Sequence, residues 1–234
     1  MRRSIRSVVL VHGAWHGSWC WARVVPLLEQ NGFVVRAVDL PSTGIDPPPG
    51  ADLSGDAEAV RAAIEALPGK VLVCGHSYGG MVISHPTVGA HPRVAQLAYL
   101  CAFVPERGQS LFAMGDGKPA PWIGVDEQGM SLPDLAHAAA LFFGDCDANT
   151  QQWAVGRLRR QPTTPFAEPV EDPAWRHIRS TYIVCTLDCV MPLELQRGLF
   201  APRTSRAIEL ETSHSPFLSR PGPLARELAA LGAA

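Results

Sequence analysis

No stretch of the chain approaches the roughly 18 consecutive apolar residues of a membrane-spanning helix, and the sequence predicts no membrane association. An excess of one charge is missing too. Lys and Arg number 20 against 22 Asp and Glu, a formal net charge of -2, which leaves no long-range field to collect nucleic acid or anionic lipid. The expected partner is a small molecule. Internal repeats and low-complexity tracts are absent apart from the short loop Pro47-Pro48-Pro49, so repeat architectures are excluded. The six cysteines, at positions 20, 74, 101, 146, 185 and 189, are scattered rather than paired. Most fall in apolar, strand-like runs, where a reduced thiol behaves as a small hydrophobe. Cys185 and Cys189 flank Asp188, but with no second pair they are expected to pack there rather than carry redox chemistry. Arg2 and Arg3 precede only a short apolar run, Val8–Val11, too brief for the core of a secretion signal. The expected setting is cytoplasmic.

What is present is a chain of 234 residues, 47% hydrophobic, enough to bury one sizeable core with an elaboration. Apolar, β-branched runs recur at Ile5–Val11, Phe33–Val38, Lys70–Cys74, Val94–Phe103, Ser180–Cys185 and Arg206–Leu210. Each is bounded by Gly, Pro or polar clusters, as buried parallel strands are. Helix-period segments lie between them at Trp19–Gln30, Gly55–Leu67, Ser77–Val88, Leu193–Phe200 and Pro223–Leu231. Alternation of this kind predicts an α/β fold, a mainly parallel sheet of about six strands with helices on both faces. It breaks once, over residues 105–175, where two helical patches, Leu132–Phe143 and Asn149–Leu158, sit among Gly, Pro and aromatic residues. Residues 1–104 and 176–234 are therefore expected to form the core, and 105–175 a helical cap inserted over the sheet edge. Pro86 should kink or end its helix near His85.

Directly after the Lys70–Cys74 run comes Gly75-His76-Ser77-Tyr78-Gly79, and Gly80-Met81-Val82-Ile83 begins a helix. A serine between strand and helix in a G-x-S-x-G frame sits on a turn too sharp for side chains at the flanking glycines, and its hydroxyl stands above the carboxyl edge of the sheet. The new helix aims N–H groups at charge developing on a substrate. Ser77 is thus the candidate nucleophile.

A serine hydroxyl needs an imidazole to take its proton, and the imidazole needs a carboxylate to fix its tautomer. Asp188 stands just past the Ser180–Cys185 run, and His214 lies in the loop after the last strand, the chain order Ser, acid, His of such sites. The other histidines, at 12, 16, 76, 85, 91, 137 and 177, all precede the last strand. Backbone N–H groups of Tyr78, following the nucleophile, and of Ala14, in the glycine-rich loop after the first strand, are the expected oxyanion donors. His12 and His16 share the four-residue spacing of a helical metal pair but lie in that loop with no third ligand nearby, so no metal and no cofactor are expected. Leu135, Phe142 and Phe143 form an apolar stripe at helical spacing, more often a packing face than a ligand wall. With Trp15 and Trp122 they are nonetheless the candidate substrate pocket.

Val9-Leu10-Val11-His12-Gly13-Ala14-Trp15-His16-Gly17-Ser18-Trp19, Gly75-His76-Ser77-Tyr78-Gly79-Gly80-Met81, Cys185-Thr186-Leu187-Asp188 and Ser213-His214-Ser215-Pro216 together resemble the methyl esterase and hydroxynitrile lyase branch of the α/β-hydrolase fold family. The segments Asp39-Leu40-Pro41-Ser42-Thr43-Gly44 and Val155–Pro162 add weaker marks. The resemblance implies a triad of Ser77, Asp188 and His214 with Ala14 and Tyr78 as oxyanion donors, and homodimers would be unsurprising for the branch. Plant lyases of this branch carry threonine after the first-strand histidine and lysine after the catalytic histidine, where this chain has Gly13 and Ser215. The expectation is therefore a serine hydrolase acting through an acyl-enzyme on a small to medium, hydrophobic carboxylic ester. The same triad could serve a lactone, a thioester or a carbon–carbon bond, and a non-catalytic ligand receptor is the remaining alternative.

Overall fold

The computed structural model describes residues 5–48, 50–115 and 117–233, so Arg2, Arg3 and Pro49 lie outside the described residues. Six strands form one sheet in the order β2-β1-β3-β4-β8-β9. They are β1 (Ser7–Val11), β2 (Val34–Val38), β3 (Val71–His76), β4 (Val94–Leu100), β8 (Ser180–Cys185) and β9 (Arg206–Leu210), and every pairing is parallel. The six apolar runs of the sequence thus each form a strand. β1, β3 and β8 are buried at every position; a strand can be so only if both faces of its sheet are covered. The edge strands β2 and β9 keep exposed positions.

Two helix groups provide the cover. α1 (Val25–Gln30) packs against the terminal helix Pro221–Ala233, while α2 (Leu53–Glu65) packs against α3 (Gly79–Ser84) and α4 (Pro86–Gly89). In α2, Leu53, Ala57, Val60 and Ile64 form the buried stripe, the spacing of one helical face. Asp52 caps it, accepting a hydrogen bond from the Gly55 N–H at 2.7 Å.

Several helical segments are shorter than their periodicity suggests. The segment after Ser77 breaks at His85, whose ψ of 140° is extended, because a residue before proline is driven out of the helical region. Ahead of α1, Ser18–Trp21 is a separate 3-10 turn, and α1 begins at Val25 with Pro26, which has no N–H to donate back toward that turn, in its second position. The Leu193–Phe200 segment passes from an α turn into a π-helical turn at Gln196–Phe200.

Between β4 and β8 the chain carries a second, three-stranded sheet of β5 (Ile123–Val125), β6 (Met130–Pro133) and β7 (Gln161–Pro162), antiparallel throughout. This corrects the helical reading of Leu132–Phe143. Its first residues are strand, and the helix α5 (Leu135–Phe143) begins after Asp134, whose carboxylate accepts from the Ala136 N–H. α6 (Ala148–Val155) follows. Across this segment Trp175 ties back to Pro105, its indole N–H donating to the Pro105 carbonyl at 2.7 Å.

β1 connects outward to β2 and β3 continues in the other direction to β4. The chain therefore reverses between β1 and β3, and a crevice opens at the carboxyl ends of those two strands. Ala14 follows β1 and Ser77 follows β3.

Candidate active site

Ser77 has a φ of 50°, a left-handed conformation that costs a non-glycine residue of order 1 kcal/mol or more. The turn around it leaves no room for neighbouring side chains. A Cβ on Gly75 would lie 2.5 Å from the Gly79 carbonyl oxygen, and one on Gly79 2.8 Å from the His12 carbonyl oxygen. Backbone bonds hold the strained residue in place. The Ser77 carbonyl accepts from Gly80 at 2.9 Å and Phe103 at 3.2 Å, and its N–H donates to Leu100 at 3.2 Å.

Asp188 and His214 are both buried and joined: His214 Nδ1–H donates to Asp188 Oδ2 at 2.7 Å. The other carboxylate oxygen accepts from the Val190 and Met191 N–H groups at 2.7 and 2.9 Å. Placing the proton on Nδ1 leaves Nε2 of His214 as the basic nitrogen. The loop bearing His214 is pinned to the turn at Ser77 by His76, the preceding residue, whose Nε2–H donates to the His214 carbonyl at 2.8 Å. The two imidazoles lie 4.6 Å apart.

Ala14, Tyr78 and Ser77 share the floor of one cavity of about 280 Å³. Among the described residues neither the Ala14 nor the Tyr78 N–H has an acceptor within the chain. Of the five residues read from sequence as pocket, Trp15 and Trp122 line this cavity, whereas Leu135, Phe142 and Phe143 do not. Leu135 is 47% exposed on the outer face. Phe142 and Phe143 are fully enclosed behind the wall, against His16, and Phe142 also against His214. Phe142 and Phe143 thus pack inward, as apolar residues at helical spacing usually do, while Leu135 lies outside the packed face. The wall is instead made by Phe103, Leu111, Phe112, Met114, Phe166, Met191 and Phe200 with the two tryptophans. Phe103 and Met191 stand past the carboxyl ends of β4 and β8, a position that could have flagged them; Leu111, Phe112, Met114 and Phe166 carry no periodic signal.

His12 and His16 shape the loop after β1. His12 Nδ1–H donates to the Gly13 carbonyl at 2.8 Å and His16 Nδ1–H to that of Ala14 at 2.7 Å. Burial drives their pKa values down to about 4 and about 3, so both are neutral. Burial likewise holds His76 well below the usual histidine range. His76, Cys101 and His214 bring one potential metal-ligating atom each within 4.8 Å of the others. His76 Nε2 and Cys101 Sγ, however, both hydrogen-bond the His214 carbonyl, and His214 Nδ1 is engaged by Asp188. An ion there would have to displace the bonds that hold the His214 loop.

The sequence profile of the alpha/beta hydrolase family matches residues 8–227. Methylesterase 1 of Arabidopsis thaliana is 29% identical, with 92% of each chain covered. A pyrethroid hydrolase of Sphingobium wenxiniae is 30% identical over 97% of this chain and 87% of its own. Among solved structures, a pyrethroid hydrolase from Sphingobium faniae superposes with a TM-score of 0.84 at 30% identity, covering 99% of this chain and 98% of that one.

Proposed function

The chain belongs to the alpha/beta hydrolase family, and from that premise we propose that it is a serine hydrolase cleaving small to medium, hydrophobic carboxylic esters. The observation that carries the reading is the buried His214–Asp188 pair at 2.7 Å, tied through His76 to the strained Ser77 on the floor of an apolar cavity. Ser77 Oγ attacks the ester carbonyl while His214 takes its proton. The tetrahedral oxyanion is held by the N–H groups of Ala14 and Tyr78. Collapse expels the alcohol, which receives the proton from His214, and a water activated by the same imidazole releases the acid from Ser77. Asp188 orients the ring and stabilises its charged form.

The aromatic and thioether lining supports an apolar acyl or alcohol group, and the methylesterase and pyrethroid hydrolase relatives support ester cleavage. Cyanohydrin cleavage is disfavoured by Gly13 itself. A Cβ there would lie 2.7 Å from His76 Nδ1 and 2.9 Å from Ser77 Cβ, so a threonine has no space. Residues 105–175 act on this reading as a cap that roofs the cavity with Leu111, Phe112, Met114, Trp122 and Phe166. No helix among the described residues is long and apolar enough to cross a membrane. A reducing cytoplasm suits the six free thiols.

The test is hydrolysis of 4-nitrophenyl butyrate by wild type and Ser77→Ala, together with labelling by a fluorophosphonate probe and mass mapping of the adduct. Wild type should turn over and carry the adduct on Ser77, and Ser77→Ala should lose at least about 10³-fold in kcat and all labelling. Activity undiminished in Ser77→Ala, or an adduct elsewhere, would refute the assignment.

A further inference from the structure

Asp56, on α2, is a carboxylate with no exposed surface and no cationic partner among the described residues. Burial raises its pKa, and its charged neighbours Asp52 and Glu168 are of the same sign. A buried anion in this position is expensive unless donors saturate it. Three do so. Ser42 N–H reaches Oδ1 at 3.0 Å, Ser42 Oγ–H reaches Oδ2 at 2.6 Å, and the Tyr78 hydroxyl reaches Oδ2 at 2.7 Å.

Those donors lead to both sides of the oxyanion hole. Tyr78 supplies one of the two amides on the cavity floor, and its ring is held at the far end by Asp56. Ser42 Oγ accepts from Gln161 Nε2 at 2.8 Å, and Gln161 Oε1 accepts the Trp15 N–H at 3.0 Å. Trp15 N belongs to the peptide whose carbonyl is that of Ala14, and His16 grips that carbonyl from the other side. Ser131 completes the clamp, donating to the Gln161 carbonyl at 2.8 Å and accepting from the Trp15 indole at 3.0 Å. Trp15 is itself left-handed, with a φ of 60°, a conformation that persists only where surrounding bonds impose it.

We propose that Asp56 is the positioning residue of the oxyanion hole, one buried carboxylate against which the Tyr78 amide and, through Ser42 and Gln161, the Ala14 amide are both registered. A carboxylate suits the place because every partner is a donor pointing at it. An asparagine would turn an NH2 toward one of those donors, and an apolar side chain would leave all three unpaired. Hydrogen bonds to an ionised acceptor are also the short, strong kind that restrict motion, and donors held still before the reaction are what stabilise a developing oxyanion. Asp56 touches no substrate and acts only through Tyr78 and Ser42.

The inference rests on the serine-hydrolase reading, and the experiment separates the two. Wild type, Asp56→Asn, Tyr78→Phe and Ser42→Ala are compared on 4-nitrophenyl butyrate, with working sites counted by fluorophosphonate labelling. Each is also titrated with a trifluoromethyl ketone, which Ser77 would convert to a tetrahedral oxyanion, and with the matching methyl ketone, which stays a ground-state ligand. Asp56→Asn should lower kcat per labelled site by about 10²-fold, with KM within about 3-fold, and weaken the trifluoromethyl ketone by a similar factor while sparing the methyl ketone. Tyr78→Phe, which removes one donor and keeps the backbone amide, should show the same pattern at about 3- to 10-fold. A merely structural role would lower the number of labelled sites or the melting temperature without splitting the two ketones. Should Asp56→Asn not fold, Tyr78→Phe and Ser42→Ala decide: unchanged kcat and unchanged trifluoromethyl ketone affinity in both overturn the proposal. A wild type that neither turns over nor labels at Ser77 removes the hydrolase reading, and this inference with it, before any variant is compared.

Discussion

Asp188 divides its carboxylate between two tasks, Oδ1 gripping the loop amides of Val190 and Met191 and Oδ2 holding His214. An asparagine can still accept from the loop, but its NH2 then faces His214 Nδ1 and favours the opposite tautomer, with the proton on Nε2 where Ser77 needs a base. Asp188→Asn should therefore fold normally and lose about 10³- to 10⁴-fold in kcat with KM little changed, measured on 4-nitrophenyl butyrate. Retention of more than about a tenth of the activity would place the orienting acid elsewhere. Residues of this type were readable from the sequence because a local signal flanks each one: two glycines around Ser77, a strand end before Asp188, the last strand before His214. Asp56 had no such signal. In the sequence it is one more acid on an amphipathic helix, and only the arrival of Ser42 and Tyr78 around it distinguishes it from a solvated one.

At the scale of elements, α2 depends on its first turn. Asp52 satisfies the Gly55 N–H that would otherwise lack an acceptor, so Asp52→Ala should cost about 1 kcal/mol of stability in urea unfolding. Its kcat should stay within about 2-fold of wild type, since the cap lies a turn away from Asp56 and a frayed first turn leaves the later bonds in place. A larger fall in kcat without the stability loss would show that the cap, too, serves the site. The breaks at His85 and before α1 follow from single prolines and are the kind of feature a sequence announces. The small sheet β5-β6-β7 is not. Its strands are three, four and two residues long, too short for a period of two to register, and β6 runs straight into α5, so the apolar residues of both read as one helical patch.

Across the whole molecule, three buried histidines make stability depend on pH. His12 and His16 have pKa values near 4 and 3 in the fold, and His76 lies well below the ordinary 6.5. The unfolded chain therefore binds protons that the folded chain refuses. The stabilisation is complete above about pH 6.5 and is lost as the pH falls from there toward 4, each histidine adding up to about 1.4 kcal/mol per pH unit to the slope. Urea unfolding at pH 7.5, 6 and 5 should show a steep decline in the acid interval; constant stability would mean that these rings accept protons inside the fold. By itself the sequence determined the six strands of the main sheet, the sharp turn at Ser77, and the places of Asp188 and His214 past strand ends, because each is written in a few neighbouring residues whose steric and polar demands admit one local conformation. Tertiary structure alone decided which apolar side chains line the cavity, that Phe142 and Phe143 lie behind its wall instead of in it, and that a carboxylate on α2 and a glutamine on β7 are linked through Ser42 beside Tyr78 and Trp15. Such contacts join segments far apart in the chain, and their energy exists only once packing has brought those segments together and excluded water between them.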